Sequence, residues 1–165
     1  MSDGNEKKFC VQCGRELIAV KVDGEDRLAC PDESCDFVFW NNPVPVVAGI
    51  VEHEDNIILI QNKGWPSNWW GPVTGFLERG ETAEDGIARE VSEELGLTAE
   101  VQSLVGVYTF FRMNQVIIAY HLIAHGEISQ GEELAAYKPV PITKLKGWDS
   151  ATGQAVSDWL ASRQD

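Results

Sequence analysis

Three glutamates in one short segment have the spacing of side chains that could bind a cation together. Glu90 and Glu94 are four residues apart and lie on one side of a helix, with Glu93 one step further round. Like charges at this spacing destabilise a helix by roughly 0.2–0.5 kcal/mol. Mg²⁺ would remove this penalty, since it prefers carboxylate oxygens, retains several waters and bridges to phosphate groups. An acidic run of this kind, taken alone, is also typical of a solvated helix face.

The helix that would carry these glutamates has a clear beginning, apolar stripe and end. Thr82, followed three residues later by an aspartate, has the pattern of a capping box at a helix start. Ile87, Val91 and Leu95 recur every four residues and form an apolar stripe. Gly96 stands where a glycine commonly ends a helix. The sequence therefore predicts a helix between Thr82 and Gly96.

Apolar runs on either side of this helix predict the elements that must position it. We expect four strands and a second helix, at residues 44–51, 57–60, 101–111, 116–124 and 150–163 respectively. Residues 63–75, which are rich in Gly, Pro and Trp, are predicted to form a loop, and a polar loop is expected before the last helix. Strands that enclose helices without a regular βαβ repeat indicate a layered α/β or α+β fold.

Four cysteines occur in the first 35 residues and none in the remaining 130: Cys10, Cys13, Cys30 and Cys35. This asymmetry and the break at Asn41-Asn42-Pro43 predict two domains, residues 1–40 and 41–165. Two pairs of thiolates can bind Zn²⁺ tetrahedrally and hold together a segment that is too short for its own core. We expect a structural zinc ribbon, with Cys35 as its least certain ligand. A Cys-x-x-Cys redox pair and a ribbon without metal are the alternatives.

The balance of charge restricts the partners of the chain. Thirteen basic and twenty-six acidic residues give a formal charge of −13, and the isoelectric point is near 4.5. Because phosphate backbones recruit Lys and Arg, long nucleic acids are not expected partners. No segment approaches the ~20 apolar residues of a membrane helix, and the first residues have no apolar signal core. We expect no membrane partner and a cytoplasmic location.

The segment around the glutamates resembles a complete Nudix box. The matching residues are Gly75, Glu81, Arg89, Glu90, Val91, Glu93, Glu94, Gly96 and Leu97. The resemblance implies a Nudix hydrolase with an α/β/α sandwich and a mixed sheet. It also implies hydrolysis of a pyrophosphate bond in a nucleoside diphosphate derivative, with Mg²⁺ or Mn²⁺ as the cofactor. Such chemistry needs charge neutralised on phosphate oxygens and an activated water.

The resemblance further implies roles for individual residues. The expected metal ligands are Glu90, Glu94, Glu93, Glu81 through water, the backbone carbonyl of Thr74, and Glu133. Glu93 and Glu90 are candidate catalytic residues, and Arg89 is expected to pair with the carboxylates and hold them in place. The choice of general base among Glu90, Glu93 and Glu133 stays open, as does the alternative that Glu132 and Glu133 lie in a plain exposed loop. Gly75 and Phe76 are candidate substrate contacts.

A zinc ribbon followed by a Nudix box resembles the NADH pyrophosphatases and their shorter relatives that act on FAD or ADP-ribose. NADH-specific members carry Ser-Gln-Pro-Trp-Pro-Phe-Pro after the box, which residues 98–114 lack. The expected substrate is a small nucleotide, namely ADP-ribose, FAD or an NAD(H)-like dinucleotide, and the expected product is a nucleoside monophosphate. The resemblance also admits a homodimer. The alternative function is a nucleotide-sensing regulatory protein that binds its ligand without turnover.

Overall fold

The computed structural model of the chain describes residues 7–163, so both predicted domains extend at their outer ends beyond the described residues. These residues form two compact units, one that ends at Asn42 and one that begins at Pro43. Across the described part of the chain, no helix is long and apolar enough to cross a membrane.

The first unit contains a small antiparallel sheet. Its strands are β1 (Ile18–Val22), β2 (Glu25–Ala29) and β3 (Val38–Phe39), in the order β1-β2-β3. Asp23 and Gly24, which join β1 to β2, both have positive φ, at 53° and 86°. Two such residues match the twist of a tight hairpin. The short strands leave the unit with little apolar core of its own.

The second unit consists of one mixed sheet between two long helices. Its elements are β4 (Val44–His53), β5 (Asn56–Asn62), β6 (Val73–Phe76), α1 (Ala83–Leu95), β7 (Thr98–Phe110), β8 (Gln115–His125), β9 (Leu134–Pro141) and α2 (Ala151–Ser162), with short 3₁₀ turns at Phe111–Met113 and Ile142–Lys144. The sheet order is β7-β8-β4-β5-β9, and β6 pairs with β4. The β4–β8 pair is parallel and the other pairs are antiparallel.

Strand β4 lies in the centre of this sheet and is covered on both faces. Because successive side chains of a strand point to opposite faces, Val47 packs in a core cluster with Val91 of α1. The next residue, Ala48, packs in a second cluster with Ala155 of α2. The sheet therefore lies between two helical layers, and the predicted α/β/α sandwich with a mixed sheet is confirmed.

Helix α1 has both of its predicted caps. The Thr82 hydroxyl accepts a hydrogen bond from the Asp85 N–H at 3.1 Å, as expected for an N-cap. Gly96 ends the helix in the left-handed conformation, with φ 67°, and its N–H donates to the Ser92 carbonyl at 2.9 Å. These local interactions agree with the sequence prediction, as do the positions of β4, β5, β7, β8 and α2 to within a few residues.

Two strands of the second unit were not predicted. The expected loop at 63–75 contains most of the four-residue strand β6, which follows Gly71-Pro72, includes the first box residue Gly75 and is too short to show a period. The expected polar loop before α2 contains β9, at Leu134–Pro141. Its side chains alternate between exposed and half-buried after Leu134, and it contains two prolines. Such a sequence is typical of a strand at the edge of a sheet.

The end of α1 generates a stability prediction. An alanine at position 96 would have to adopt the positive φ of Gly96, and its Cβ would lie 2.9 Å from the Cβ of Ser129. We expect Gly96→Ala to lower the free energy of unfolding by about 1–2 kcal/mol, measured by urea denaturation. Gly80→Ala is the matched control, since Gly80 also has positive φ but has open space around it. An equal loss in both variants would contradict a contribution from the Ser129 contact.

Candidate functional site

The absence of a side chain at position 75 lets α1 approach β6. A Cβ built on Gly75 would overlap the carboxylate of Glu90. Gly75 lies opposite Val47 of β4, and Val47 packs on the α1 side of the sheet. The Glu90 carboxylate therefore lies directly against the backbone of β6, a position that a larger residue at 75 would occupy.

Arg89 joins three carboxylates of the box into one network. Its Nε and Nη2 atoms donate to the two carboxylate oxygens of Glu81 at 3.1 and 2.9 Å. Its Nη1 atom donates to Glu90 at 2.8 Å and to Glu93 at 3.1 Å. Nη2 also donates to the backbone carbonyl of Phe76 at 3.2 Å. All three nitrogens of this rigid, forked side chain are used, so Arg89 fixes the helix carboxylates relative to β6.

The network changes the protonation behaviour of its members. The hydrogen bonds from Arg89 and from the Glu78 N–H lower the pKa of Glu81 below its ordinary value. Glu90 has a raised pKa, because its burial outweighs the hydrogen bond and charge of Arg89. One carboxylate is therefore firmly ionised, whereas the other lies in a site that disfavours its charge.

Glu94 is the most buried carboxylate of the group. Its side chain is only 5% exposed, and its Oε2 atom has no hydrogen-bond donor among the described residues. Burial, followed by the negative charges of Glu90 and Glu133, raises the pKa of Glu94 to about 8. A buried carboxylate oxygen that no described residue satisfies is a strong sign of a ligand or water at that atom.

A loop after β8 brings one more acid to this group. The Gly131 N–H donates to the Glu94 carbonyl at 2.8 Å, and the Lys63 N–H donates to the Glu133 carbonyl at 2.9 Å. A Cβ on Gly131 would overlap the carbonyl of Glu93. These contacts place Glu133 close enough to raise the pKa of both Glu90 and Glu94 through its negative charge. The neighbouring Glu132 is exposed.

Residues 74–76 lie in β6 beside the carboxylates. Thr74 pairs with Ala48 and immediately precedes Gly75. Phe76 has two separate roles in the geometry, because its carbonyl accepts from Arg89 while its side chain is 59% exposed. Phe76 pairs with Val46 of β4, which packs on the α2 side of the sheet, so alternation turns the Phe76 ring to the face opposite Gly75.

Sequence reasoning missed Asn62, which also belongs to this group. It ends β5, and its side chain forms a hydrogen bond that lowers the pKa of Glu94. Ile58 and Ile60 of the same strand lie in the core cluster that contains α1. The sequence signal that could have identified Asn62 is the alternation of the strand, because Asn62 is a polar residue in phase with the buried residues Ile58 and Ile60.

The four cysteines of the first unit converge. Their sulfur atoms all lie within 4.8 Å of one another, with 3.6 Å between Cys10 and Cys35 and 3.4 Å between Cys13 and Cys30. All four are free thiols. Four sulfurs at this spacing could bind one metal ion, and tetrahedral sulfur sites are typical of zinc.

The chain belongs to the NUDIX domain family, whose sequence profile matches residues 42–160. It is 42% identical over 69 residues to an ADP-ribose pyrophosphatase of Methanocaldococcus jannaschii, over 41% of each chain. It is 28% identical over 129 residues to the NAD-capped RNA hydrolase NudC of Pseudomonas fluorescens, over 78% of this chain and 45% of that protein. The chain thus spans less than half the length of these curated relatives.

Solved structures give the same class. A NUDIX hydrolase from Nitrosomonas europaea has a TM-score of 0.81 and 27% identity, over 95% of this chain and 92% of the other. A UDP-X diphosphatase has a TM-score of 0.60 at 19% identity, over 74% of this chain and 64% of the other, and shares the fold. The predicted family is confirmed.

The Arg89 network generates a prediction for stability and pH. We expect Arg89→Gln to lower the melting temperature at pH 7 in metal-free buffer, because three carboxylates lose their shared donor. Since the pKa of Glu81 is lowered below 4.5, its stabilising contribution is complete at neutral pH. It is lost as the pH falls through the lowered pKa, so the difference from wild type should shrink in acid.

The matched control is Arg79→Gln, which removes the same charge from a nearby exposed side chain. It should change the melting temperature much less at pH 7. A difference between Arg89→Gln and wild type that is constant from pH 7 to pH 3, measured by calorimetry, would contradict the proposed contribution of Glu81.

Proposed function

We propose that the protein hydrolyses the pyrophosphate bond of a small nucleoside diphosphate derivative and releases a nucleoside monophosphate. ADP-ribose, FAD and NAD(H)-like dinucleotides are the substrates to test. The main support is the buried carboxylate of Glu94, whose Oε2 atom lacks any donor among the described residues. Three more carboxylates, those of Glu90, Glu93 and Glu133, add negative charge around it, so the group calls for a cation, which could bridge to phosphate.

The donor set fits Mg²⁺ or Mn²⁺, because it consists of oxygen atoms. The residues that would hold the ions are Glu90, Glu94, Glu93, Glu81 through water, the Thr74 carbonyl, and Glu133. A bound divalent ion supplies charge neutralisation on phosphate oxygens and lowers the pKa of water. The negative charges of Glu90, Glu93 and Glu133 around Glu94 make such neutralisation favourable for an anionic substrate.

The chain's own residues would then position the reaction and accept the proton of the attacking water. Arg89 holds Glu90 and Glu93 in fixed orientations. The Glu93 side chain is 59% exposed, whereas that of Glu90 is 14% exposed. Glu93 is therefore better placed to meet water from solvent, and Glu133 lies across the same group. Either carboxylate could act as the general base within hydrogen-bond reach of the water.

The substrate class is supported by the relatives and by one exposed ring. The relatives include proteins named ADP-ribose pyrophosphatase and NAD-capped RNA hydrolase NudC. An ADP moiety is common to ADP-ribose and NAD. Phe76 is exposed at the end of β6, and an aromatic face of this kind can stack on a planar base.

The first test is a substrate panel with wild type and Glu93→Gln. We expect a nucleoside monophosphate from one or two of ADP-ribose, FAD, NAD and NADH with Mg²⁺ or Mn²⁺, resolved by chromatography. Loss of a positioned general base should lower kcat by about 10²–10⁴-fold. Glu54→Gln, in the exposed β4–β5 turn, is the control and should turn over as wild type does.

Two outcomes would contradict this function. Full turnover by Glu93→Gln would remove Glu93 from the mechanism. Tight nucleotide binding without any product across the panel would instead favour a nucleotide-sensing protein.

For the first unit we propose a structural Zn²⁺ held by Cys10, Cys13, Cys30 and Cys35. The four converging sulfurs support this proposal. Mass spectrometry of metals should find about one zinc ion per chain. Cys35→Ser tests the longer Cys-x₄-Cys spacing and should lower the bound zinc, whereas Ser34→Ala, beside it, should not. Undiminished zinc in a protein that lacks both Cys30 and Cys35 would overturn the assignment.

A further inference from the structure

Two buried oxygen atoms at the candidate active site lack hydrogen-bond donors among residues 7–163. They are Oε2 of Glu94 and Oδ1 of Asn62. One is a carboxylate oxygen, which needs a donor or a cation, and the other is an amide oxygen, which needs a donor. Buried oxygens in proteins almost always have such partners, from protein or from ordered water. Two together therefore indicate a ligand that supplies both a charge and donors.

The strand geometry brings these two side chains to the same place. Ile58 and Ile60 of β5 lie in the core cluster with α1, and alternation turns Asn62 to that side. Beyond a register shift between Gln61 and Asn62, Asn62 pairs with Leu134, another member of the same cluster, which agrees with this direction. The Asn62 amide group acts as a hydrogen-bond donor to the Glu94 carboxylate. Because Oε2 has no donor, this interaction leaves one carboxylate oxygen of Glu94 unused.

We propose that Asn62 is a positioning residue for the divalent cation, with its amide N–H orienting Glu94 and its Oδ1 accepting a hydrogen bond from a water of the hydrated ion. This inference rests on the proposed function. A hydrated divalent cation satisfies both oxygens, since Mg²⁺ keeps several of its waters when proteins bind it. Residues that hydrogen-bond to a metal ligand, without contacting the metal themselves, commonly influence the metal affinity.

An amide suits this position better than a charged side chain would. An aspartate would add a negative charge to a group that already contains Glu90, Glu94 and Glu133, and it would have no N–H to donate. A lysine would neutralise the carboxylates itself and compete with the cation. Asparagine provides a donor and an acceptor without changing the charge of the site.

The test compares two neighbouring residues of β5 that face opposite ways. Asn62→Leu removes the amide with little change in volume, and Gln61→Leu is the control. The Gln61 amide donates to the carbonyls of Pro66 and Trp69 at 3.2 and 3.0 Å, away from the carboxylates. Mn²⁺ binding to the whole chain without nucleotide is followed by electron paramagnetic resonance. We expect Asn62→Leu to weaken Mn²⁺ binding at least tenfold and Gln61→Leu to change it less than about twofold.

A second readout separates positioning from a general loss of stability. The relaxation rate of water protons reports the waters on bound Mn²⁺, and it should change in Asn62→Leu at saturating metal. Asn62→Ser keeps a hydroxyl that can donate and accept, and it should recover part of the affinity. It also carries the test if Asn62→Leu does not fold.

Glu94→Gln separates the two proposals. Loss of Mn²⁺ binding in Glu94→Gln together with wild-type binding and water relaxation in the Asn62 variants would overturn the role of Asn62 and leave the metal site intact. Unchanged binding in Glu94→Gln, or no Mn²⁺ binding by wild type, would overturn the metal site and this inference with it.

Discussion

The site depends on the negative charge that α1 carries beside β6, which a single arginine neutralises only in part. Arg89 distributes its donors over Glu81, Glu90 and Glu93. Glu94 is instead buried, with a pKa raised to about 8 and an oxygen that lacks a donor in the described part of the chain. The group is therefore electrostatically incomplete. A second arginine would complete it at once, but it would occupy the place that a metal ion needs.

Such a charged group requires a rigid support, which the sandwich supplies from apolar residues. Val47 of β4 packs with Val91 of α1, so the carboxylates of the helix are held at a fixed distance from the sheet. Two glycines then allow the close backbone contacts of the site. Because Gly75 has no side chain, the Glu90 carboxylate can lie against β6. Because Gly131 has none, the loop after β8 can lie against the end of α1. The polar site thus depends on close backbone approach, while the stability of the unit comes from the layers behind it.

The sequence predicts those features that are local. Thr82 and Gly96 define α1 because caps depend on a few neighbouring residues, and the apolar stripe determines which face is buried. Asn62 is different, because its role arises only when β5 lies beside α1, some thirty residues further along the chain. Strand β9 is also set by its partner, since its own residues alternate weakly and include two prolines. Tertiary contacts that join distant segments are therefore what the sequence alone leaves undetermined.

The charge of the whole protein bears on which ligands such a site could accept. At physiological ionic strength charges are screened beyond about 8 Å, so the repulsion that matters is that of groups near the ligand. A cation held by the carboxylates would neutralise one diphosphate at close range. A long RNA would bring further phosphates over a surface with twice as many acidic as basic residues, where few lysines or arginines could replace its counterions. The same carboxylates that would bind the metal would therefore favour a short nucleotide with one diphosphate at the ion.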